Sequence, residues 1–564
     1  MTTLIPKFDL KNGGSTPAGA INRTIYEKLS DSISVKDFGA VGDGIADDTA
    51  AIQAAATAAI GKQIFFPSGT YKVTATVTFN SSIIGENSTI NFVYSGARAS
   101  PVKLTGNNHV VSGLIINCNN TDVTNAIWLY DATGTIITGN TISNARVMIS
   151  IGSNVIDTTI TNNQIYGGGY GILYDELPLP ANYGDSGSSK LLVSNNQFHG
   201  AVAVVGAIDG GDAIELNAPV NGFSDFQIIN NSFYNAFANA PGTAGFCVGV
   251  AGGYNGVISN NYMYNSTYES IHIEEGNCTG TDFTYSYNIT ISNNTIINSG
   301  SHAIIASYSQ VVITNNNIYG PEFSGVFLYA YTTRGSLGVL PLKTCVVSGN
   351  TISNSGESGI YCVYANFLDV SNNKIVNSGL STNNTYYSIN LDACEQAKCA
   401  NNYLVLGTSG NIENGCLLSN NSLLLLNTAT TSGTSPFNFV NQSTAQYTKN
   451  GSGTSPAIAI TFASDASENI ISIVEIVMSG IAQNGTSPQV ITAKYFVTHS
   501  TSVTAATAFG TNDSSGTPSI TATTSGLIVT FTGTLTSGYT NVITATVTQP
   551  NIYDVNKGGV INMA

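Results

Sequence analysis

Charged side chains are scarce in this chain of 564 residues, where Asp, Glu, Lys and Arg together make up 9% and the formal net charge is −15. The four arginines are far apart in the sequence, at Arg23, Arg98, Arg146 and Arg334. A protein that neutralises a phosphate backbone needs Lys and Arg clustered on one face. The composition therefore argues against nucleic acid as a partner.

Long apolar runs are also absent, because no stretch reaches the roughly 20 residues of a membrane-spanning helix. The first residues, MTTLIPKFDLKNGG, lack the basic and apolar segments of a secretory signal peptide. We therefore predict no membrane insertion, and we expect the chain to be made in a cytoplasm.

Paired cysteines are missing as well, since the eight cysteines contain no CxxC motif. This spacing predicts neither a zinc site nor a disulfide framework. Cys394 and Cys399 come closest to a pair of metal ligands, but no histidine lies near them in the sequence. We expect reduced cysteines that act as small core residues, and we predict no metal ion and no other cofactor.

What the chain does contain is a repeated six-residue unit: Val or Ile, Ser or Thr, any residue, Asn, any residue, and an apolar residue. Self-similarity at a period of 20 to 50 residues is typical of solenoids. The unit occurs, with small variations, at 137–142, 160–165, 193–198, 228–233, 258–263, 291–296, 313–318, 347–352, 370–375, 399–404 and 418–423.

Each unit predicts a strand, a tight turn and a second strand. Asn suits the turn because it tolerates the left-handed backbone conformation, and its amide can bond to the Asn one coil above. The repeats therefore predict a right-handed parallel β-helix with a ladder of Asn side chains. Longer spacings predict loops, including 176–190 and 278–288, which project between the strands and form a groove.

The repeat ends near residue 430. Apolar segments such as 470–480 and 527–535 then alternate with turns rich in Gly, Ser and Thr, which predicts a β-sandwich-like domain. The predicted fold class is all-β, with a lead at 1–34, a parallel β-helix at 35–430 and a C-terminal β domain at 431–564. We interpret that last domain as a trimerisation domain, with a carbohydrate-binding module as the alternative.

Acidic side chains are concentrated in two segments, AIDGGDAIELN at 207–217 and YESIHIEEG at 268–276. When the segments are aligned on their apolar alternation, 171–175, 213–217, 245–249 and 270–274 stack in successive coils. Side chains alternate between the two faces of a strand. The alignment therefore buries Ile214, Leu216, Ile271 and Ile273 and places Asp175, Glu215, His272 and Glu274 on one outward face.

The candidate catalytic residues are Asp209, Asp212, Glu215 and Glu274. The backbones of Glu215 and Glu274 are predicted to lie about 10 to 12 Å apart, two coils from each other, and their side chains can shorten that gap to the separation that suits glycoside hydrolysis by two carboxyl groups. One carboxyl must be protonated and the other ionised. We assign Glu215 as the acid, and Asp209 or Asp212 as a second acid or as the base that activates water. The alternative for these two aspartates is ordinary turn chemistry before Gly.

The candidate substrate-binding residues are Asp175, Glu269, His272 and Glu275, with His272 able to orient a carboxylate or bond to a sugar hydroxyl. A metal set is not predicted, because on a strand Glu269 would lie on the face opposite His272. Sugar rings pack against exposed aromatic rings. Tyr329 and Tyr361 fall on the outward face, where packing within a tyrosine ladder is the alternative role.

The segment SVKDFGAVGDGIADDTAAIQAAATAA, which begins at Ser34, and the following GKQIFFPSGTYKV resemble the opening of the pectate-lyase-like superfamily of tailspikes and polygalacturonases. In that superfamily a short capping helix precedes the first coils. Here the helix is expected over 50–59, with Asp48 as its N-cap. The short lead before VKDFGAVGDG and the Ser/Thr/Gly-rich C-terminal domain resemble bacteriophage tailspikes and capsule depolymerases.

This resemblance implies a homotrimer of the virion tail that binds and depolymerises a bacterial surface polysaccharide, either capsule or O-antigen. Its N-terminus would attach to a phage tail or adaptor protein. The acidic strands favour endo-glycoside hydrolysis. A polysaccharide lyase is one alternative, although it would need a base beside groups that neutralise a uronate, and the acidic strands contain no Lys or Arg. A non-catalytic receptor-binding adhesin is the other, and an O-deacetylase lacks a convincing Ser-His-Asp set.

Overall fold

Short parallel strands form most of the protein in the computed structural model. The structure describes residues 31–406 except for 95–97, 119–124, 177–183, 201–210, 236–244, 277–284, 331–341, 382–385, 393 and 395–396. Outside that range it describes the segments 7–8, 23–24 and 27–28 and the backbone of the strands between 414 and 562. The chain divides into two compact units, Met1–Gly256 with Gly276–Thr284 and Val257–Glu275 with Tyr285–Ala564.

The first elements precede the regular coils. They are the strands Lys7–Phe8, Arg23–Thr24 and Ser32–Ser34, the 3-10 helix Val35–Phe38, the strand Asp43–Asp47 and the α-helix Thr49–Ala58.

The coils of the first unit follow. Their strands are Gln63–Phe66, Gly69–Val73, Thr78–Phe79, Ser82–Phe92, Val102–Asn107, Val110–Cys118, Asn125–Thr133, Ile136–Thr138, Thr141–Ile151, Ile156–Thr161, Gln164–Asp175, Ser189–Ser194, Gln197–His199, Ile214–Asn217, Phe223–Ile229, Ser232–Tyr234, Val248–Ala251 and Gly253–Ser259.

The second unit continues with strands of the same kind. They are Tyr262–Tyr264, Ile271–Glu274, Tyr287–Ser292, Thr295–Ile297, Ile304–Ser307, Val311–Thr314, Asn317–Tyr319, Val326–Tyr329, Leu342–Lys343, Val346–Ser348, Thr351–Ser353, Ile360–Val363, Ala365–Asn366, Asp369–Ser371, Lys374–Val376, Tyr387–Asp392, Lys398–Ala400, Tyr403–Leu406, Asn414–Leu418 and Leu423–Thr431.

Each coil contributes three strand segments, and each segment pairs in parallel with its equivalent in the next coil. In the first unit Ile160 pairs with Val193, Ile165 with Phe198 and Ile172 with Ile214. All of these side chains are buried. Because strand side chains alternate in direction, one apolar residue at every second position is enough to fill the core.

The repeated Asn residues form the predicted ladder, and the two positions of each turn have different roles. In the first unit the exposed Asn195 has φ of 56°, in the left-handed region. The next residue, Asn196, is buried and donates from its main-chain N–H and its Nδ2 to Oδ1 of Asn231, at 3.0 and 3.1 Å. One Asn therefore turns the chain, and the following Asn bonds to the next coil.

The second unit contains its own ladder. The buried residues Asn261, Asn294, Asn316, Asn350, Asn373 and Asn402 each donate to the Oδ1 atom of the next, up to Asn402. The ladder side chains also donate to main-chain carbonyls, such as that of Ile291 from Asn316 at 3.0 Å. The ladder predicted from the repeat is confirmed; its last repeat, at 418–423, lies largely outside the described residues.

The capping helix is also present, but Asp48 does not cap it in the expected way. Asp48 occupies the N-cap position of the helix Thr49–Ala58, yet its side chain makes no capping hydrogen bond. Its carboxylate instead accepts from the main-chain N–H groups of Val41 and Gly42, at 2.6 and 3.2 Å. The predicted position is right and the predicted contact is wrong, because the preceding loop already supplies two donors.

The C-terminal strands change to antiparallel pairing. The strand Thr444–Ser452 pairs in parallel with Leu423–Thr431 and antiparallel with Tyr539–Thr548. An antiparallel sheet continues from there through Ile470–Ala482, Gln489–His499 and Val503–Asp513.

A separate four-stranded sheet contains Phe437–Asn438, Ala457–Thr461, Ile528–Thr534 and Ser519–Ser525, and the last short strands are Asn551–Ile552 and Ile561–Asn562. These two sheets agree with the all-β fold class, while the domain boundaries at 34 and 430 stay predictions. Among the described residues, no helix has the length and apolar character needed to cross a bilayer.

We predict that Asn316→Ala destabilises the protein by about 2 to 5 kcal/mol. The substitution removes the Nδ2 group that donates to Asn350 and Ile291, and it leaves the N–H groups of Asn294 without their acceptor in the core. Unfolding in guanidinium followed by circular dichroism measures the change. The matched control is Asn315→Gly, at an exposed neighbour with φ of 57° that glycine adopts freely. Equal unfolding of both variants would contradict a stabilising ladder.

Candidate functional site

The acidic strand Ile214–Asn217 lies between two neighbouring strands of the first unit. Glu215 pairs with Leu173 on one side and with Gly249 on the other. The expected stacking of 213–217 on 171–175 is confirmed. The expected alignment of 245–249 is wrong by two residues, since Ile214 pairs with Val248. An even shift keeps every side chain on its predicted face, and it places a glycine beside Glu215.

Gly249 leaves a space that the side chains of Asp212 and Glu215 share. A Cβ atom built on Gly249 would lie 3.6 Å from Oδ2 of Asp212 and 3.9 Å from Cγ of Glu215. Glu215 is half-buried, and Ile214 and Leu216 beside it are fully buried, as alternation predicts. The side chains of Asp212 and Glu215 therefore approach a common point beside Gly249.

Asp212 precedes the strand and is held by the next coil. Its Oδ1 atom accepts a hydrogen bond from the main-chain N–H of Phe246 at 2.7 Å, and its side chain is buried. A main-chain donor stabilises the charge of a carboxylate. Since Oδ1 makes this contact, Oδ2 is the oxygen that faces the space beside Gly249.

Asp175 lies on the same outward face, as predicted, but it is buried. Its Oδ1 atom accepts from Nδ2 of Asn217 at 3.0 Å. The neighbouring Glu176, which the sequence did not single out, accepts from the hydroxyl of Tyr174 at 2.9 Å and from the N–H groups of Val220 and Asn221, each at 2.9 Å. These contacts give Glu176 a structural role in holding the turn after the acidic strand.

In the second unit, His272 lies between two carboxylates. Its Nδ1 atom is 3.6 Å from Oε2 of Glu269, and its Nε2 atom is 3.6 Å from Oε2 of Glu274. Burial alone would lower the pKa of His272, but the two carboxylates outweigh burial and raise that pKa to about 9. His272 is therefore a cation at neutral pH. Glu274 is half-exposed, whereas Glu269 is buried.

The prediction that Glu269 lies on the face opposite His272 is wrong. The strand begins at Ile271, so Glu269 lies in the bend before it and does not follow the alternation of the strand. The bend returns the carboxylate towards the ring. Oε1 of Glu269 accepts from the hydroxyl of Ser301 at 2.8 Å, and Oε2 of the buried Glu275 accepts from that of Ser307 at 2.8 Å.

A second histidine of this unit, His302, is neutral. Burial lowers its pKa to about 4. Its Nδ1 atom accepts a hydrogen bond from the main-chain N–H of Ser324 at 3.1 Å, which places the ring proton on Nε2. The ring lies 4.6 Å from that of Phe327 between centroids. Its single lone pair is therefore already engaged.

Aromatic rings continue along the outward face of the second unit. Phe327 stacks on Tyr329, with ring centroids 4.9 Å apart, and on Tyr361, with centroids 5.1 Å apart. All three rings are half-buried. Tyr329 and Tyr361 thus both pack against Phe327. Phe327 was missed, although it stands at an outward position of the alternating segment VFLY.

Some predicted residues stay untested. Asp209 lies outside the described residues. Glu215 belongs to the first unit and Glu274 to the second, so the separation of their carboxyl groups stays a prediction, as do the catalytic and binding roles of all the candidates. In the described part of the chain, no group of three or more His, Cys, Asp and Glu side chains is arranged to hold a metal ion.

Comparison with known families adds to this geometry. The family described as rhamnogalacturonase A/epimerase, pectate lyase-like, matches residues 32–166. The family described as right handed beta helix region matches residues 218–404 and 283–456. These models cover parts of the chain and agree with the parallel β-helix of the structure. The predicted all-β fold class is thereby confirmed.

Curated proteins are similar to short stretches of this chain. The mannuronan C5-epimerase AlgE2 of Azotobacter vinelandii is 40% identical over 86 residues, which cover 14% of this chain and 9% of the epimerase. The glucan 1,3-beta-glucosidase of Cochliobolus carbonum is 36% identical over 115 residues, which cover 16% of this chain and 14% of the glucosidase. The matched stretch thus spans about a tenth of these relatives.

Among solved structures, a tailspike protein mutant of E. coli bacteriophage HK620, in complex with a pentasaccharide, covers 96% of this chain and 97% of its own. Its TM-score is 0.51 and its sequence identity is 11%. An identity this low shows a shared fold, and the fold extends over nearly the whole length of both chains.

We predict that the imidazole of His272 titrates near pH 9 and that Glu274→Gln lowers its pKa by removing one of the two carboxylates. A pKa raised on folding stabilises the protein fully below the unfolded value of 6.5, and this stabilisation is lost as pH rises through about 9. NMR titration of histidine ring signals measures both effects. His302, with a pKa near 4, is the internal control. A titration midpoint near pH 6.5 for His272 would show that the two carboxylates do not raise its pKa.

Proposed function

We propose that the chain is a tailspike-type polysaccharide depolymerase that hydrolyses glycosidic bonds, with Glu215 and Asp212 as its two carboxyl groups. The observation that supports this proposal is their approach to one point beside Gly249. Glycosidases place two carboxyl groups about 5 to 10 Å apart across the scissile bond. Because Glu215 and Asp212 each bring a side-chain atom within 4 Å of one point, their carboxyl groups can reach such a separation.

The environments of the two residues suit different roles. Glu215 projects from mid-strand on the outward face, where its carboxyl can protonate the leaving oxygen of the glycosidic bond as general acid. Asp212 is buried and held by the N–H of Phe246, which favours a fixed, ionised carboxylate. Asp212 then activates the attacking water or attacks the anomeric carbon. Asp209 stays an alternative for this second role.

Hydrolysis is favoured over β-elimination by the state of the two histidines in the second unit. A lyase needs a base with a free lone pair to remove a proton beside the uronate carboxylate. His272 is protonated at neutral pH, and the lone pair of His302 accepts from Ser324. Neither ring supplies that base.

The similarities to other proteins support a polymeric sugar substrate. The HK620 tailspike binds a pentasaccharide, and the two curated relatives are named for mannuronan and glucan. We extend this to a bacterial surface polysaccharide, such as capsule or O-antigen, and to a homotrimer in the virion tail attached through its N-terminus to a tail or adaptor protein.

In this proposal the second unit binds glycan along its own outward face. The half-exposed Glu274 accepts from sugar hydroxyls, and the His272 cation holds it in position. Glu269 and Glu275 are buried and fix the local geometry through Ser301 and Ser307. The half-buried rings of Tyr329 and Tyr361 contact the apolar faces of sugars.

We predict that Glu215→Gln lowers the rate of polysaccharide cleavage by about 10²- to 10⁴-fold and leaves binding unchanged, because the amide keeps the shape but cannot donate a proton to the leaving oxygen. Spotting on lawns of encapsulated bacteria first identifies a polysaccharide that the protein degrades. Reducing-end release and binding to that polymer then measure the two effects.

The matched control is Glu86→Gln, on an exposed residue of the strand Ser82–Phe92. Full activity of Glu215→Gln would remove Glu215 from the mechanism. Products that absorb as unsaturated uronates would identify a lyase instead. Binding to bacteria without products from any polymer would identify an adhesin.

We predict that Gly249→Ala lowers cleavage by about 10- to 100-fold, because its methyl group would occupy the space shared by Asp212 and Glu215. The backbone of Gly249 is not in the left-handed region, so alanine can adopt it, but the new Cβ would lie 3.1 Å from Cδ2 of Phe246, whose ring must shift slightly. The same assay measures the effect. The control is Gly200→Ala, where the nearest atom would be 3.5 Å from the new Cβ. Unchanged cleavage in Gly249→Ala would show that the reaction occurs elsewhere.

A further inference from the structure

Two cations converge on the only tryptophan of the chain. The ammonium of Lys103 lies 4.1 Å from the ring centroid of Trp128 and 4.5 Å from that of Tyr130. The guanidinium carbon of Arg98 lies 4.3 Å from the centroid of Trp128. In a protein of net charge −15 this local excess of positive charge is unusual.

The two cations differ in how they are held. Arg98 donates to the hydroxyl of Ser150 at 2.9 Å and to the buried carboxylate of Asp185 at 3.1 Å, which neutralises its charge and fixes its position. Lys103 forms no ion pair within the described part of the chain, and its ammonium is held by the two rings. Burial, and then the charge of Arg98, lower the pKa of Lys103, whereas the carboxylate of Asp131 raises it. The charge of Lys103 is therefore offset by Asp131 only at a distance and not by an ion pair.

This cluster lies on the same outward face as the carboxylates. Lys103 pairs with Trp128, Trp128 with Ser150, Ser150 with Leu173, and Leu173 with Glu215. Four coil steps of about 4.8 Å separate Lys103 from Glu215, so their backbones lie about 19 Å apart. That distance is too long for Lys103 to take part in the reaction and short enough for one glycan chain to reach both places.

We infer that Lys103, with the rings of Trp128 and Tyr130 and the fixed Arg98, binds a sugar that carries one negative charge, and that the glycan is therefore an acidic polysaccharide with carboxylate-bearing residues. An acidic protein repels a polyanion at long range, so a local cation is needed to hold such a substrate. A single cation outside any ion pair matches a carboxylate better than a doubly charged phosphate monoester. Aromatic rings beside the cation match the apolar face of the sugar.

This inference rests on the proposed polysaccharide substrate but is testable without cleavage. Because Trp128 is the only tryptophan, its fluorescence reports on this cluster alone. The full chain with Glu215→Gln is titrated with glucuronate, N-acetylneuraminate, methyl glucoside and inorganic phosphate at constant ionic strength. We expect a saturable change with at least one carboxylate sugar and none with methyl glucoside. Lys103→Gln should weaken the carboxylate response about 10-fold or more, and Lys103→Arg should retain most of it.

The control is Lys72→Gln, which removes a half-buried lysine of the same unit. No response to either carboxylate sugar, or an equal response in Lys103→Gln, would overturn the inference. A stronger response to phosphate would assign the cluster to a phosphate-bearing glycan and would overturn the inference of a carboxylate-bearing sugar. The titration uses a variant without the proposed catalytic acid. Its result therefore does not depend on whether the protein hydrolyses the polysaccharide.

Discussion

The hydrogen bonds of the buried Asn side chains fix the geometry on which the rest of the structure depends. Each ladder Asn accepts from the N–H and amide of the previous ladder Asn and donates to the next, as Asn316 does between Asn294 and Asn350. Together with bonds to main-chain carbonyls, they satisfy the buried polar groups of the turn. They also hold neighbouring coils in one register, so that every second side chain of a strand points outward at a repeated position.

That register explains how a protein with few charged residues brings polar side chains together on one face. Lys103, Trp128 and Glu215 come from distant parts of the sequence, yet they follow one another along one line of paired residues. Burial then gives the groups different electrostatic states. His272 is held as a cation by two carboxylates, whereas His302, with a buried ring and an engaged Nδ1 atom, is neutral.

Sequence reasoning succeeded where the structure follows a local period and failed where the chain leaves it. The Asn turns, the buried Ile214 and Ile271, and the outward Glu215 all follow from alternation within a strand. Glu269 did not, because it lies in a bend before its strand. The register beside Gly249 was missed because the sequence before Val248 does not mark the residue at which the strand begins. The pairing of Arg98 with Asp185 joins residues 87 apart, which no local pattern reveals.

The ladder has a further consequence for how such a chain can change. Each coil presents the same donors to the coil above and the same acceptor to the coil below, so a coil is a template for its neighbour. Inserting or deleting one complete coil between two ladder Asn residues would preserve every bond at the junction, whereas a partial coil would break them. The length of the outward face can therefore vary in steps of about 4.8 Å without any change in how the core packs.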